Sequence, residues 1–168
     1  MTILCLDISS TATGWATFAG KNLRGFGLIK PRGKDALDRI RDTVVQVLAV
    51  VSEEDAQEVY YERSDGKTHR RITKAANLSV LGEAQGSVAT ALRISGYPVH
   101  AVGTNEWTKG KRKETRARTV RMMFPAYFEW SAKDKGLDVA DAIGLGVYVL
   151  GKLKTQELIA AGTSPRSR

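Results

Sequence analysis

The feature that most constrains the fold is a single carboxylate inside an apolar segment near the N-terminus. Residues 3–8 have the composition of a buried strand, and Asp7 interrupts them. An ionised carboxylate is costly to bury unless it is paired or binds a metal. The Ser, Thr and Gly residues at 9–14 predict a tight turn, and residues 15–18 continue as a second strand. A hairpin with one hydrogen-bonded Asp is the alternative for this segment alone.

Positive charge is concentrated in two windows of a chain whose formal net charge is +8. Residues 109–121 carry seven basic side chains and one acidic one, and residues 63–74 carry five and one. The two windows together exceed the whole positive excess, so the remainder of the chain is slightly acidic. Concentrated positive charge predicts a polyanion partner, most often nucleic acid. A solvated basic face is the alternative.

The length of 168 residues and a hydrophobic content of 42% are typical of one globular domain. We expect that domain over residues 1–161 and a flexible tail over 162–168. No apolar run approaches the roughly 20 residues needed to span a bilayer, and no signal peptide is evident. The single Cys5 is expected to be a buried thiol, which fits a reducing, cytoplasmic compartment.

The order of predicted elements indicates an α/β fold with helices on the faces of a mixed sheet. Three strands that follow one another directly can form an antiparallel meander, whereas later strands need helical crossovers and should run parallel to the first. Thr104 is expected to cap a short helical turn. In chain order we predict strands over 3–8, 15–18 and 23–29, a helix over 35–52, a strand over 59–61, a helix over about 73–95, a strand over 98–102, a helix over about 113–123, a loop over 126–136 and a helix over 137–153.

Four carboxylates fall where this topology can bring them together. Asp7 lies in the first strand, Glu62 ends the fourth, and Asp138 and Asp141 open the final helix. Residues at i and i+3 share a helix face, although the helix dipole alone also favours acidic residues there. If strands one and four are neighbours, Asp7 and Glu62 leave the same end of the sheet, and the final helix can bring its pair to that end.

Clustered carboxylates repel one another and need cations. Hard oxygen ligands select Mg²⁺ or Mn²⁺. Two such ions roughly 4 Å apart can hold the attacking water and the leaving oxygen of a phosphodiester. An acidic centre flanked by basic segments is therefore typical of a metal-dependent nuclease.

On these residues the chain resembles the RuvC-type Holliday junction resolvases of the RNase H-like superfamily. The matching pieces keep their order over about residues 2–152. They are Asp7 followed by Thr13-Gly14-Trp15-Ala16, then Glu62, then Leu81-Gly82-Glu83-Ala84-Gln85-Gly86, then the basic segment from Lys109 through Lys113 to Val120, and finally Asp138-Val139-Ala140-Asp141-Ala142.

The resemblance implies an RNase H-like fold with a five-stranded sheet, a homodimer, and paired symmetric nicks across a four-way DNA junction. It implies that Asp7, Glu62, Asp138 and Asp141 hold two Mg²⁺ ions, for which Mn²⁺ can substitute. The resemblance also implies that Lys113 is a catalytic residue near the scissile phosphate, and an ordinary phosphate contact is its alternative role. The predicted location is the cytoplasm of a bacterium or of a phage-infected host. The predicted DNA-binding residues are Lys67, His69, Arg70, Arg71, Lys74, Lys109, Lys111, Arg112 and Arg116.

Two departures from the family pattern affect substrate recognition. Ser9-Ser10 stands where the cellular enzymes usually carry Pro-Gly, and the loop after Glu62 is longer and lacks an aromatic residue. His69, Arg70 and Arg71 are the candidates for a wedge at the junction centre. A basic wedge predicts recognition of shape and phosphate with weak base selection. The short chain and altered turn resemble the bacteriophage branch of the family.

Other interpretations remain at this point. The second helix carries an apolar stripe that is either a dimer contact or ordinary core packing, namely Leu78, Leu81, Val88 and Leu92. An ATP-binding domain of the sugar-kinase type would need a second domain for which 168 residues leave no room. A non-catalytic junction-binding protein and an RNase H-like nuclease acting on RNA–DNA hybrids or flaps are the remaining alternatives.

Overall fold

The computed structural model describes residues 1–64 and 75–160, together with all of their side chains except those of 75–77 and 157–160. The elements alternate as the sequence predicts, with three strands before the first helix. They are β1 (Thr2–Ile8), β2 (Thr13–Ala19), β3 (Asn22–Ile29), α1 (Ala36–Glu53), β4 (Glu58–Arg63), α2 (Ala75–Ile94), β5 (Val99–Gly103), α3 (Thr104–Thr108), α4 (Lys113–Met123), α5 (Pro125–Trp130), a 3₁₀ turn (Ser131–Lys133) and α6 (Asp138–Ala160).

The described strands form one five-stranded sheet in the order β3-β2-β1-β4-β5. β1 pairs antiparallel with β2, and β2 pairs antiparallel with β3. β4 runs parallel to β1, and β5 runs parallel to β4. The predicted fold class, with an antiparallel meander followed by two parallel strands, is confirmed.

The sheet separates two hydrophobic layers because successive β1 side chains point to opposite faces. Ile3 and Cys5 pack under α6, whereas Leu4 and Leu6 pack under α1 and α2. Cys5 is fully buried, so the prediction of a buried thiol is confirmed. Covering both faces leaves the strand ends of the sheet as the place where polar residues can gather.

Helix α1 begins where the sequence predicts, and its apolar face packs on the sheet through Ile40, Val47 and Val51. Asp35 caps it by accepting a 2.9 Å hydrogen bond from the backbone of Asp38. Leu37, in the first turn, is 70% exposed, whereas the polar Thr43 is fully buried. Thr43 is tolerated there because its hydroxyl donates to the Arg39 carbonyl one turn earlier.

The predicted loop over 126–136 is wrong, since α5 and a 3₁₀ turn occupy most of it. Pro125 stands at the first helical position, where its missing N–H costs nothing. Tyr127 and Trp130 then pack edge-on against Phe26 of β3 at ring-centroid distances of 5.9 and 5.6 Å. These contacts with a distant strand stabilise a helix of only six residues.

Helix α2 packs on the sheet through part of the stripe expected at a dimer contact. Val88 and Leu92 are buried in the core of their own chain, whereas Gly82 and Gly86 face outward. Core packing thus accounts for part of the stripe, and the homodimer stays a prediction. The single-domain assignment also stays a prediction, and its tail over 162–168 lies outside the described residues. No described helix is long and apolar enough to cross a bilayer.

Candidate active site

The parallel pairing of β1 and β4 brings Asp7 and Glu62 to the same end of the sheet. The register pairs Leu6 with Tyr61, so the two carboxylates are the next residues on adjacent strands. On the other side of β1, Gly14 of β2 lies opposite Asp7. The sequence places a residue without a side chain beside the first carboxylate, and this leaves room for another element.

That element is the N-terminus of α6, which contacts the backbone of β2 at Gly14. A Cβ atom on Gly14 would lie 2.1 Å from the carbonyl oxygen of Asp138 and 2.6 Å from the nitrogen of Val139. Only glycine permits so close an approach. Because Asp138 and Asp141 occupy the first turn of α6, this contact places both next to Asp7.

A buried carboxylate that the sequence analysis missed holds the start of α6. Asp134 is 1% exposed and accepts hydrogen bonds from the Tyr127 hydroxyl at 2.8 Å and from the backbone of Ala140 at 3.0 Å. The second bond satisfies one of the free N–H groups of the first turn. Asp134 stands four residues before α6 and not at the usual N-cap position directly before it, so the sequence gives no recognised signal for this role.

Helix α4 places the ammonium of Lys113 among the carboxylates. Its Nζ lies 2.8 Å from Asp138 Oδ1, 3.2 Å from Asp141 Oδ2 and 3.5 Å from Asp7 Oδ2. Lys113 is one third exposed, whereas Asp141 is 4% exposed. Asp7, Glu62, Asp138 and Asp141 are referred to below as the carboxylate cluster.

Glu62, the fourth member, is held by α3. Thr104 Oγ1 donates to Oε1 at 2.8 Å, and Trp107 Nε1 donates to Oε2 at 2.8 Å. The prediction that Thr104 caps a helix is wrong, because Gly103 occupies the cap position and the threonine hydroxyl turns to Glu62 instead. Trp107 is 8% exposed and packs in the core, and its indole N–H also serves the site through this bond to Glu62.

Arg116 of α4 forms a bidentate ion pair with Asp141. Its Nε donates to Oδ1 at 2.9 Å and its Nη2 donates to Oδ2 at 2.8 Å. The guanidinium carbon lies 4.8 Å from the centre of the Trp107 ring. The run of basic residues gives no signal in the sequence that this one turns inward.

Burial and mutual repulsion set the electrostatics of the cluster. Burial raises the pKa of Asp7 well above its ordinary value; the attraction of Lys113 opposes this and repulsion from the other carboxylates adds to it. Burial also raises the pKa of Glu62, against the hydrogen bond from Thr104. Burial disfavours the charged form of Lys113, yet the attraction of Asp7 and Asp141 raises its pKa above the ordinary value. The cluster is thus a place where a cation is strongly favoured.

The donor set of the carboxylate cluster fits a hard divalent cation in its chemistry. All four side chains offer carboxylate oxygens, the ligands that Mg²⁺ prefers, and the Lys113 ammonium already stands in for a cation among three of them. Within residues 1–64 and 75–160, however, no three Asp, Glu, His or Cys side chains are arranged to hold a metal as they lie. An ion bound among these carboxylates would take the place that the Lys113 ammonium now occupies.

The predicted DNA-binding residues fall into three groups. Lys109, Lys111 and Arg112 are exposed on a basic turn, residues 109–112, that leads into α4. Lys109 and Gly110 have φ angles of 49° and 73°, and this left-handed conformation ends α3. Arg116 is engaged with Asp141 as described. The remaining five lie outside the described residues, namely Lys67, His69, Arg70, Arg71 and Lys74.

The fold of the chain is similar to that of solved structures. No protein-family model and no curated protein matches the sequence. The structure of RuvC from Thermus thermophilus in complex with a Holliday junction substrate matches with a TM-score of 0.65 at 20% identity, over 88% of this chain and 91% of that one. The chain has the fold of the RuvC-type Holliday junction resolvases.

Two further resolvase structures share this RuvC-like fold. The yeast mitochondrial Holliday junction resolvase Ydc2 matches with a TM-score of 0.63 at 10% identity, over 88% of this chain and 77% of that one. The fowlpox virus Holliday junction resolvase matches with a TM-score of 0.56 at 14% identity, over 91% and 99%. The predicted resemblance to this group is confirmed at the level of the fold, and a specific kinship with the phage branch stays a prediction.

Proposed function

We propose that the protein is a structure-selective endonuclease that resolves four-way DNA junctions by paired, symmetric, metal-dependent nicks. The observation that carries the proposal is the carboxylate cluster around Lys113, gathered from β1, β4 and α6 at one end of a RuvC-like sheet. Buried carboxylates without a chemical task are rare because they are costly. The Thermus thermophilus relative was solved with a Holliday junction substrate, which supports the choice of DNA.

The carboxylate cluster would hold two Mg²⁺ ions, and Mn²⁺ would substitute. When bound, the ions would supply an activated water and neutralise charge on the leaving oxygen. Thr104 and Trp107 keep Glu62 facing the cluster through their hydrogen bonds. Lys113, released from the carboxylates, would donate to an oxygen of the scissile phosphate and stabilise its developing charge.

The basic turn would hold the DNA backbone next to the cluster. Lys109, Lys111 and Arg112 are exposed and immediately precede Lys113. Contacts with phosphates position DNA without reading its sequence. Paired nicks require two active sites, which a two-fold symmetric homodimer supplies. Such an enzyme would act in recombination, repair or the clearing of branched phage DNA, in the cytoplasm of a bacterium or an infected host.

A non-catalytic junction-binding protein is the second candidate. The observation that favours it is that Lys113 and Arg116 already pair with three of the four carboxylates, and that the described side chains are not arranged to hold a metal as they lie. In that case the cluster would be a structural ion-pair network, and the basic turn would carry the whole function.

The deciding experiment compares an immobile four-way junction with a linear duplex, a flap and an RNA–DNA hybrid, each with Mg²⁺, Mn²⁺ or a chelator. We expect symmetric, metal-dependent nicks in the junction alone. Asp7→Asn should abolish them and leave junction binding intact. The control is Asp55→Asn, an exposed site whose φ of 50° suits Asn. Binding without cutting in either metal would overturn the proposal in favour of the second candidate, and cutting of the hybrid or flap would change its substrate.

A further inference from the structure

One aromatic ring connects two members of the carboxylate cluster that lie on different elements. Trp107 donates from its indole nitrogen to Glu62 Oε2 at 2.8 Å, and the guanidinium of Arg116 lies over its ring at 4.8 Å. Arg116 in turn donates hydrogen bonds to both carboxylate oxygens of Asp141. Glu62 on β4 and Asp141 on α6 are thereby connected through α3 and α4.

The burial of these groups excludes an ordinary surface role. The side chain of Arg116 is 14% exposed and that of Asp141 is 4% exposed. The third nitrogen of the guanidinium, Nη1, donates to the carbonyl of Lys111. With all three nitrogens of its planar fork donating inside the protein, Arg116 is poorly placed to contact a phosphate, which is the role that its place in the basic run suggested.

The ring of Trp107 is itself held by close packing against α6. A Cβ atom on Gly144 would lie 3.0 Å from Trp107 Cζ3, so the glycine makes room for the indole. Gly144 lies three residues after Asp141 on the same helix. The position of the ring is thus tied to the helix that carries the carboxylate.

We propose that Trp107 and Arg116 are positioning residues that fix the orientation of Glu62 and Asp141 for metal binding. The inference rests on the proposed function, since it assumes that these carboxylates are metal ligands. Hydrogen bonds to ligating carboxylates hold them in the geometry that the ion needs, and their loss typically lowers metal affinity or activity by about 10–100-fold.

Two charge-conserving substitutions test the inference without changing the electrostatic attraction for the ion. Trp107→Phe removes the N–H that donates a hydrogen bond to Glu62, and Arg116→Lys removes the bidentate ion pair with Asp141. We expect each to weaken the binding of Mn²⁺ alone, measured by titration calorimetry, by about tenfold. The Mg²⁺ concentration for half-maximal cleavage should rise for both variants. Junction affinity in chelator should stay within about twofold for Trp107→Phe, because that substitution changes no contact of the basic turn.

Two further variants control for the loss of any arginine on α4 and for misfolding of Trp107→Phe. Arg118→Lys changes an exposed arginine on the same helix and should leave Mn²⁺ binding unaltered. Gly144→Ala displaces the Trp107 ring without removing any polar group, so it should weaken Mn²⁺ binding in the same direction even if Trp107→Phe fails to fold.

The outcomes separate this inference from the proposed function. If the wild-type protein binds Mn²⁺ and cuts junctions, but Arg116→Lys and Gly144→Ala bind Mn²⁺ unchanged or more tightly, the positioning role is overturned while the nuclease stands. A loss of junction affinity in chelator with unchanged Mn²⁺ binding would make Arg116 a DNA contact instead. A wild-type protein that neither binds Mn²⁺ nor cuts overturns both.

Discussion

Gly14→Ala is the sharpest test of how the active site is assembled. The added methyl group would lie 2.1 Å from the carbonyl oxygen of Asp138 and 2.2 Å from its carbonyl carbon. Both atoms belong to the backbone, so no side-chain rotation relieves the clash. The first turn of α6 must instead move away from β2 by more than about 1 Å to reach an ordinary contact of about 3.5 Å.

The size of the effect follows from that displacement. Overpacking of this kind typically costs about 1–3 kcal/mol, which for a chain of this length corresponds to a fall in melting temperature of about 2–12 °C. The effect on catalysis should be larger, because Asp138 and Asp141 move with the turn. A misplacement of about 1 Å can lower a rate by about 10²-fold. We therefore expect a folded protein with junction cleavage reduced by about that factor.

The assay pairs thermal unfolding with single-turnover cleavage of a four-way junction at saturating Mg²⁺. Gly151→Ala is the control. Gly151 lies on α6, the helix that Gly14 contacts, and no atom lies within 4 Å of the methyl group that would be added there. It should stabilise the protein by about 0.5–1 kcal/mol and leave cleavage unchanged. If Gly14→Ala cut at the wild-type rate and unfolded at the wild-type temperature, the close contact between β2 and α6 would not exist, and the convergence of the cluster would need another explanation.

Two further substitutions test the cation among the carboxylates and the cap of α6. Lys113→Met should destabilise the metal-free protein by about 1–2 kcal/mol, less than breaking a fully buried ion pair would, because the lysine is one third exposed. Mg²⁺ should then raise the melting temperature of the variant more than that of the wild type, and equal unfolding curves in chelator would contradict the reasoning. Asp134→Ala removes the acceptor shared by Tyr127 and Ala140 and should cost about 2–3 kcal/mol by urea unfolding, whereas Tyr127→Phe, which keeps the helix cap, should cost about 1 kcal/mol. Similar losses for the two variants would mean that the cap contributes little.

Much of the site was predictable because its members lie at points that local pattern identifies. Asp7 interrupts an apolar strand, Glu62 is the next-to-last residue of another, and Asp138 and Asp141 share the first turn of a helix. Parallel neighbours bring their corresponding ends together, so strand order alone predicts where these residues meet. Gly14 belonged to the predicted motif, but its contact with α6 is visible only in three dimensions.

What the sequence could not show is which charges face inward. Arg116 sits in a run of basic residues and was interpreted as a DNA contact, since composition does not distinguish its two possible orientations. Its partner Asp141 lies 25 residues away and on another helix. Likewise, a helix of six residues at Pro125–Trp130 has too few positions to show a periodic pattern, and it depends on aromatic contacts with β3.

Two basic residues of the segment 109–121 face the protein interior, and this changes how the charge of that segment should be interpreted. Lys113 and Arg116 compensate buried carboxylates, so their charge is not offered to a partner, whereas Lys109, Lys111 and Arg112 are exposed. The seven basic side chains over residues 109–121 therefore overstate the positive charge that this segment offers to DNA. The two kinds of charge are also adjacent, because the basic turn runs directly into Lys113 and Arg116 binds the carbonyl of Lys111 within that turn. Under the proposed function, phosphates that engage the turn would act on the same few residues of backbone that hold Lys113 among the carboxylates, so DNA binding and metal binding should be mutually dependent.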